Sequence, residues 1–285
     1  MASVAGAIEP EMLRSETVRA RQKTPENFSG WDLTCRGMWH FYQVTKEGHR
    51  RARELFREAI NVAPNMADGH TWLGRCNAGL VVYGWSDNPP ADIAEGWQAA
   101  IRATQLDAAD PYAHYAVGIM SAAMRQPAKA TAAAQKAIDL SPSFALGFLL
   151  LGFSRLLGGR PTQAIDPLRR GLRLNPHDPQ AFIWLQMLAF AHLLNDEPEQ
   201  AANRAAEAVA IRPDSPSGLC VLACSWAQLG NQDEASEAIT QMQHAIEKSQ
   251  TSINELLGRI LHPADHERVL QMVQLAMRCP RPVCC

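Results

Sequence analysis

Cys220 and Cys224 stand four residues apart, a spacing that sets two sulfurs on one helix face and can chelate zinc when two further ligands converge. No histidine lies near that pair, so the expectation is two buried free thiols. His262 and His266 repeat the spacing, but Pro263 begins a helix between them and the glutamate of a metalloprotease motif is missing. They read as histidines of a capping loop. Gly158-Gly159-Arg160-Pro161 has the composition of a phosphate cradle, yet it falls where two helices must turn. The terminal Cys284-Cys285 pair has the form of a doubly prenylated tail without the small-GTPase context that this modification needs. No P-loop, nucleophile elbow or dinucleotide-binding turn occurs. The expectation is a non-enzyme, with no catalytic residue, no metal and no cofactor.

The bulk properties remove further classes. The 27 basic and 29 acidic residues are spread along the chain and leave a net charge of −2, which is no electrostatic footprint for nucleic acid or an anionic membrane. The densest basic stretch, His49-Arg50-Arg51-Ala52-Arg53, runs into Glu54 and Arg57-Glu58 and reads as a solvated helix face with mixed charge pairs. Seven irregularly spaced cysteines read as reduced thiols of a cytoplasmic protein. The segment from Met1 to Glu9 lacks the basic and apolar regions of a signal peptide. The apolar run from Phe144 to Phe153 is about half of the roughly 20 residues that span a membrane.

The positioning elements come from a repeat. Small residues recur at Ala52, Gly96, Ala130, Ala164, Ala201 and Ala235, at intervals of 44, 34, 34, 37 and 34 residues. A second series follows seven residues later through Ala59, Ala103, Ala137, Gly171 and Ala208, and Pro64, Pro142, Pro176 and Pro213 close most units. A 34-residue beat of this kind specifies stacked helix pairs. Asp110-Pro111, Asp178-Pro179 and Ser215-Pro216 each offer an N-cap followed by a proline suited to a first helical turn. Close helix approach is expected where Gly74 meets Gly96, Gly118 meets Ala130, Gly152 meets Ala164 and Ala223 meets Ala235.

These stations resemble the tetratricopeptide repeat. The resemblance implies an all-α, right-handed helical solenoid of about six helix-turn-helix units, at 31–64, 67–108, 111–142, 145–176, 179–213 and 216–247. It leaves 1–30 as an N-terminal helix or linker with a short charged helix over 9–23, 248–278 as two C-terminal capping helices near Ser252–Ile260 and Ala264–Met277, and 279–285 as a disordered tail. Three extra residues are placed near the Thr45-Lys46-Glu47-Gly48 turn. Gln186 stands where a small residue belongs, which reads as looser packing in the fifth unit, while Met242 and Glu247 replace the usual Ala and Pro of the sixth. The resemblance also implies an inner surface made by the first helix of each pair. Carried over by position, its candidate partner-binding residues are Trp31, Met38, Phe41, Arg75, Tyr112, Tyr115, Ile119, Leu149, Phe153, Leu156, Ile183, Met187 and Phe190. Their apolar character argues against a clamp for chaperone C-termini. The insertion around Val82–Pro90 supplies a candidate contact loop, Tyr83, Trp85 and Asp87, whose rings are expected to fold back over the helix ends.

Several strings carry a narrower likeness. Trp31-Asp32-Leu33, Arg36-Gly37-Met38-Trp39-His40, Ala52-Arg53-Glu54-Leu55-Phe56-Arg57-Glu58-Ala59-Ile60 and Tyr83-Gly84-Trp85-Ser86-Asp87 resemble the repeat region that follows the catalytic domain of bacterial class III adenylate/guanylate cyclases. Related regions follow winged-helix regulators, and Ala7-Ile8-Glu9-Pro10-Glu11 is similar to the linker before those repeats. The leading reading is a scaffold that binds a protein or peptide partner in an apolar concave groove. The alternative is the regulatory part of a cyclase or transcription-regulator system, acting in trans on a catalytic or DNA-binding partner. A third is a metal or thiol sensor at Cys220 and Cys224.

Overall fold

The structure, a computed structural model, describes residues 29–249 and 251–278. The expected helix over 9–23, the string Ala7–Glu11 and the tail at 279–285 lie outside them. The described residues form fourteen α-helices and no strand. They are α1 (Gly30–Phe41), α2 (Lys46–Val62), α3 (Ala67–Val82), α4 (Pro89–Leu106), α5 (Pro111–Ala123), α6 (Pro127–Leu140), α7 (Ala145–Leu157), α8 (Pro161–Leu174), α9 (Ala181–Leu194), α10 (Pro198–Ile211), α11 (Pro216–Gln228), α12 (Gln232–Ser249), α13 (Ile253–Ile260) and α14 (Pro263–Arg278).

Local chemistry sets the helix starts. Ser29 and Asp32 form a reciprocal capping box on α1, with Asp32 N–H donating to Ser29 Oγ at 3.2 Å and Ser29 N–H to Asp32 Oδ2 at 3.0 Å. Asp110 accepts the N–H groups of Tyr112 and Ala113 before Pro111, and Ser215 accepts that of Gly218 before Pro216. Asp178 departs from this device. Its Oδ1 accepts from Gln180 N–H at 2.7 Å, and α9 begins only at Ala181. The Thr45–Gly48 turn leads directly into α2, with Thr45 as its N-cap accepting from Gly48 N–H at 3.0 Å. With Glu247 in place of proline, α12 continues to Ser249.

Contacts divide the described residues into two compact units, one within 29–151 and 170–180 and the other within 152–169 and 181–278. In the first unit, a Cβ on Gly74 would lie 3.2 Å from Gly96 O, and one on Gly118 would lie 3.5 Å from Ala130 O and overlap Leu150 Cδ2. Around these contacts pack Met38, Phe41, Phe56, Trp72 and Leu73, then Ala78, Ala100, Ala116 and Met120. The basic face of α2 is paired across to α4 and the insertion: Arg53 with Asp92 at 2.7 Å, Arg57 with Glu95 at 2.6 Å, and Arg50 and Lys46 with Asp87.

In the second unit a Cβ on Gly152 would overlap Leu168 Cγ and lie 3.2 Å from Ala164 O. Gly152→Leu is therefore expected to cost about 1–3 kcal/mol by overpacking, read as a lowered thermal midpoint. An unchanged midpoint would place the small-residue register elsewhere. The C-terminal helices close this unit, with α14 against α11 and α12 and α13 against α11. Arg268 of α14 donates to Leu194 O at 2.8 Å and pairs with Asp196, tying the cap to the end of α9.

Gln186 does not loosen the fifth helix pair. Its Nε2 donates to Ser215 Oγ at 2.6 Å, the same hydroxyl that caps α11, and Gly218 leaves the room it needs, since a Cβ there would lie 3.1 Å from that nitrogen. Gln186→Ala restores the small residue of the repeat pattern. It is nevertheless expected to lower unfolding free energy by about 1–3 kcal/mol, because a buried hydrogen bond and its packing are lost together. Urea denaturation checks the sign, and a gain in stability would restore the loose-packing view.

The turn inside successive helix pairs repeatedly requires a left-handed residue. Gly84, Gly159 and Gly230 supply it at φ +73°, +68° and +82°, whereas Val44, Arg125 and Asp196 adopt it without glycine at φ +49°, +57° and +59°.

Candidate functional site

Arg75 lies on α3 at 3% exposure. Its guanidinium carbon sits 3.9 Å from the centroid of the Trp72 ring, 5.1 Å from Tyr115, 5.4 Å from Phe41 and 5.8 Å from Tyr112. The rings come from α1, α3 and α5, each the first helix of its pair, and all lie in the first compact unit. Trp72 is held in turn by edge contacts from Phe41 and Tyr42 and by stacking on Phe56. The cation thus finds ring faces in place of water.

Two of its three nitrogens lack a hydrogen-bond acceptor. Arg75 Nε and Nη1 are buried and donate to no partner. Tyr115 is no phenolate, since burial pushes its phenol up to about 12 against the lowering effect of Arg75; the nearby Asp178 carboxylate raises it further. Buried donors left without acceptors are costly and rare in folded proteins. The half-buried side chains beside this site are Tyr42 and Tyr112.

The other groove candidates divide by burial. Trp31, Tyr112 and Ile119 are half-buried, whereas Met38, Phe41, Tyr115, Leu149, Phe153, Leu156, Ile183, Met187 and Phe190 are buried. Met38 and Phe41 belong to the α1–α4 core and Ile119 packs on the core around Met120. Buried members of the set are core positions in this chain, because apolar side chains at contact stations are taken up by neighbouring helices. The structure brings Phe41, Arg75, Tyr112 and Tyr115 together.

In the contact loop, the Tyr83 and Trp85 rings lie 5.7 and 5.1 Å from the His49 ring, and Asp87 is exposed and paired with Lys46 and Arg50. His49 is fully buried at 0% exposure; its Nδ1 donates to Thr45 O at 3.2 Å while Nε2 has no partner and faces the space left by Gly79. Burial drives its pKa from 6.5 to about 4 against the raising effect of that hydrogen bond. The sequence marked His49 only as part of a basic run.

Cys220 and Cys224 are free and buried on α11, and the hydrogen bond between them, together with burial, raises the Cys220 thiol well above its ordinary range. Such a thiol is a poor nucleophile and a poor metal ligand. His262 precedes α14, with its ring packed near Gly159, and His266 lies within α14. Among the described residues no three His, Cys, Asp or Glu side chains gather as a metal site. No described helix is long and apolar enough to cross a membrane.

No family model matches the chain, and no curated protein does so either. Solved structures do resemble it in fold. One is the APC/C hetero-tetramer Cut9-Hcn1, at 16% identity and a TM-score of 0.64 over 94% of this chain and 48% of that one. Another is the human IFIT1 dimer with PPP-AAAA, at 12% identity and a TM-score of 0.62 over 88% of this chain and 64% of that one. A third is Pseudomonas aeruginosa pilF, at 14% identity and a TM-score of 0.51 over 73% and 89%. The chain thus spans about half the length of the Cut9-Hcn1 chain it matches. With its paired helices and small residues at the points of closest approach, the protein has the all-α fold of a tetratricopeptide-type helical repeat.

Proposed function

We propose that the protein is a non-catalytic interaction scaffold that receives a peptide or protein segment on the first helices of its pairs, beside Arg75. The observation that supports this most is the buried guanidinium with two donors unused, a feature that serves a partner better than it serves the folded chain alone. Half-buried Tyr112, Ile119 and Trp31 supply the apolar and aromatic contact area on which binding anchors rely. The buried thiols at Cys76, Cys220 and Cys224 support a reducing, cytoplasmic setting.

The cyclase-regulator alternative rests on the strings from Trp31 to Asp87. Ala52, Leu55, Phe56 and Ala59 in those strings are buried core, and Tyr83, Trp85 and Asp87 are engaged with α2. Helix stacking accounts for them without a cyclase.

Panning a random peptide library on the immobilised full chain tests the scaffold reading. A recovered consensus whose affinity falls about tenfold or more in Tyr112→Ala supports it, since an interface anchor commonly contributes about 2 kcal/mol. Recovery no better than blank resin removes it. Incubation with ATP or GTP and Mg²⁺ or Mn²⁺ is expected to give no cyclic nucleotide, and genuine turnover would overturn the non-catalytic part.

A further inference from the structure

The guanidinium carbon of Arg75 lies 3.9 Å over the Trp72 ring centroid, so that ring covers one face of the cation and a ligand must approach its edge. Nε and Nη1 each share one edge of the guanidinium fork with Nη2, so a planar carboxylate at either edge would satisfy two donors and neutralise the charge. Around Arg75 the rings Phe41, Trp72, Tyr112 and Tyr115 offer a polar ligand only two tyrosine hydroxyls, and the buried Asp178 carboxylate near Tyr115 offers no donor. That poverty selects among carboxylates. The C-terminus of a chain brings its carboxylate together with the N–H and C=O of the last peptide group, which would be stranded among rings. A Glu or Asp side chain brings it on an apolar stem and keeps the peptide backbone outside.

We propose that Arg75 is a binding site for the carboxylate of an internal Glu or Asp side chain of the bound peptide, entering on the side of Tyr42 and Tyr112. The proposal rests on the scaffold reading above. One guanidinium meets one negative charge, and the aromatic walls exclude the water that would otherwise weaken the pair. In the free chain the same residue carries an unmet demand, so removing it should not harm folding.

The test uses two random peptide libraries panned on the full chain, one with amidated and one with free C-termini. Wild type is expected to enrich one acidic position from the amidated library, and Arg75→Met to lose that preference. With the best amidated peptide synthesised, Arg75→Met in the protein and Glu→Gln in the peptide should each weaken binding tenfold or more, and both together no more than either alone. Arg75→Lys keeps the charge without the planar fork and should also weaken binding. Melting of Arg75→Met should stay at or above that of wild type. A consensus without an acid overturns the proposal and leaves the scaffold standing; enrichment confined to free C-termini overturns it in favour of terminal carboxylates. No enriched sequence in either library removes both readings. A collapsed Arg75→Met with an Arg75→Lys that binds like wild type makes the residue a folding element and also overturns it.

Discussion

Phe153→Glu is expected to abolish stable folding of the second compact unit. Phe153 is 1% exposed, and a carboxylate in its place must either stay charged without solvent or take up a proton, while the ring's packing is lost as well. Each of these terms costs several kcal/mol, so a total above about 4 kcal/mol is expected. That is a large part of the roughly 5–15 kcal/mol that holds a typical domain together. Circular dichroism and urea melts read the result. Met187→Glu, at 6% exposure, should behave in the same way, whereas Tyr112→Glu at a half-buried position should leave the melt close to wild type. A Phe153→Glu chain that melts like wild type would make this residue part of an open groove after all.

The second large effect follows pH. His49 is neutral in the fold, with its pKa lowered to about 4 from 6.5, so between those values the unfolded chain binds a proton that the folded chain refuses. Its contribution is therefore complete above pH 6.5 and is lost as pH falls toward 4, by up to about 3 kcal/mol. Protonation would place a cation among Phe41, Tyr83 and Trp85, close to Arg50 and Arg53 on the same helix. Asp68 and Asp110 work in the opposite direction, because burial raises both carboxyls and acid relieves them. The readout is therefore the difference between wild type and His49→Gln, whose amide can still donate to Thr45 O. The wild-type melting temperature should fall more steeply from pH 7 to 4.5. Parallel curves would show that His49 does not titrate on unfolding.

What the sequence revealed was whatever a fixed spacing carries. Gly74, Gly118 and Gly152 stand at one station of the repeat, and the backbone oxygens of Gly96, Ala130 and Ala164 lie where a Cβ on each would meet them. Small size at a recurrent position has one structural meaning, so it could be read before any coordinates. Arg75 carried no such mark. An arginine on a helix ordinarily points to water, and only the convergence of rings from three helices buries this one. His49 was hidden for the same reason: its burial depends on a loop that returns to cover it. Gln186 was misread because the pattern recorded the missing alanine and not the hydroxyl of Ser215, 29 residues away, that rewards a longer side chain. Position within a repeat tells which neighbours a first-helix residue faces, and not whether they close over it, so the burial of Phe153 or Met187 was not legible in the sequence.

Valine at φ +49° at position 44 is a conformation that a β-branched residue avoids in a free peptide. Glycine takes the same left-handed role at 84, 159 and 230, so the shape of these corners is imposed from outside them. The helices on either side, locked by their close backbone approaches, leave the connecting residue no other route. Such corners are passive hinges of fixed angle. A residue that disfavours the left-handed region bears its strain locally there, while the helix pair that it joins keeps its packing.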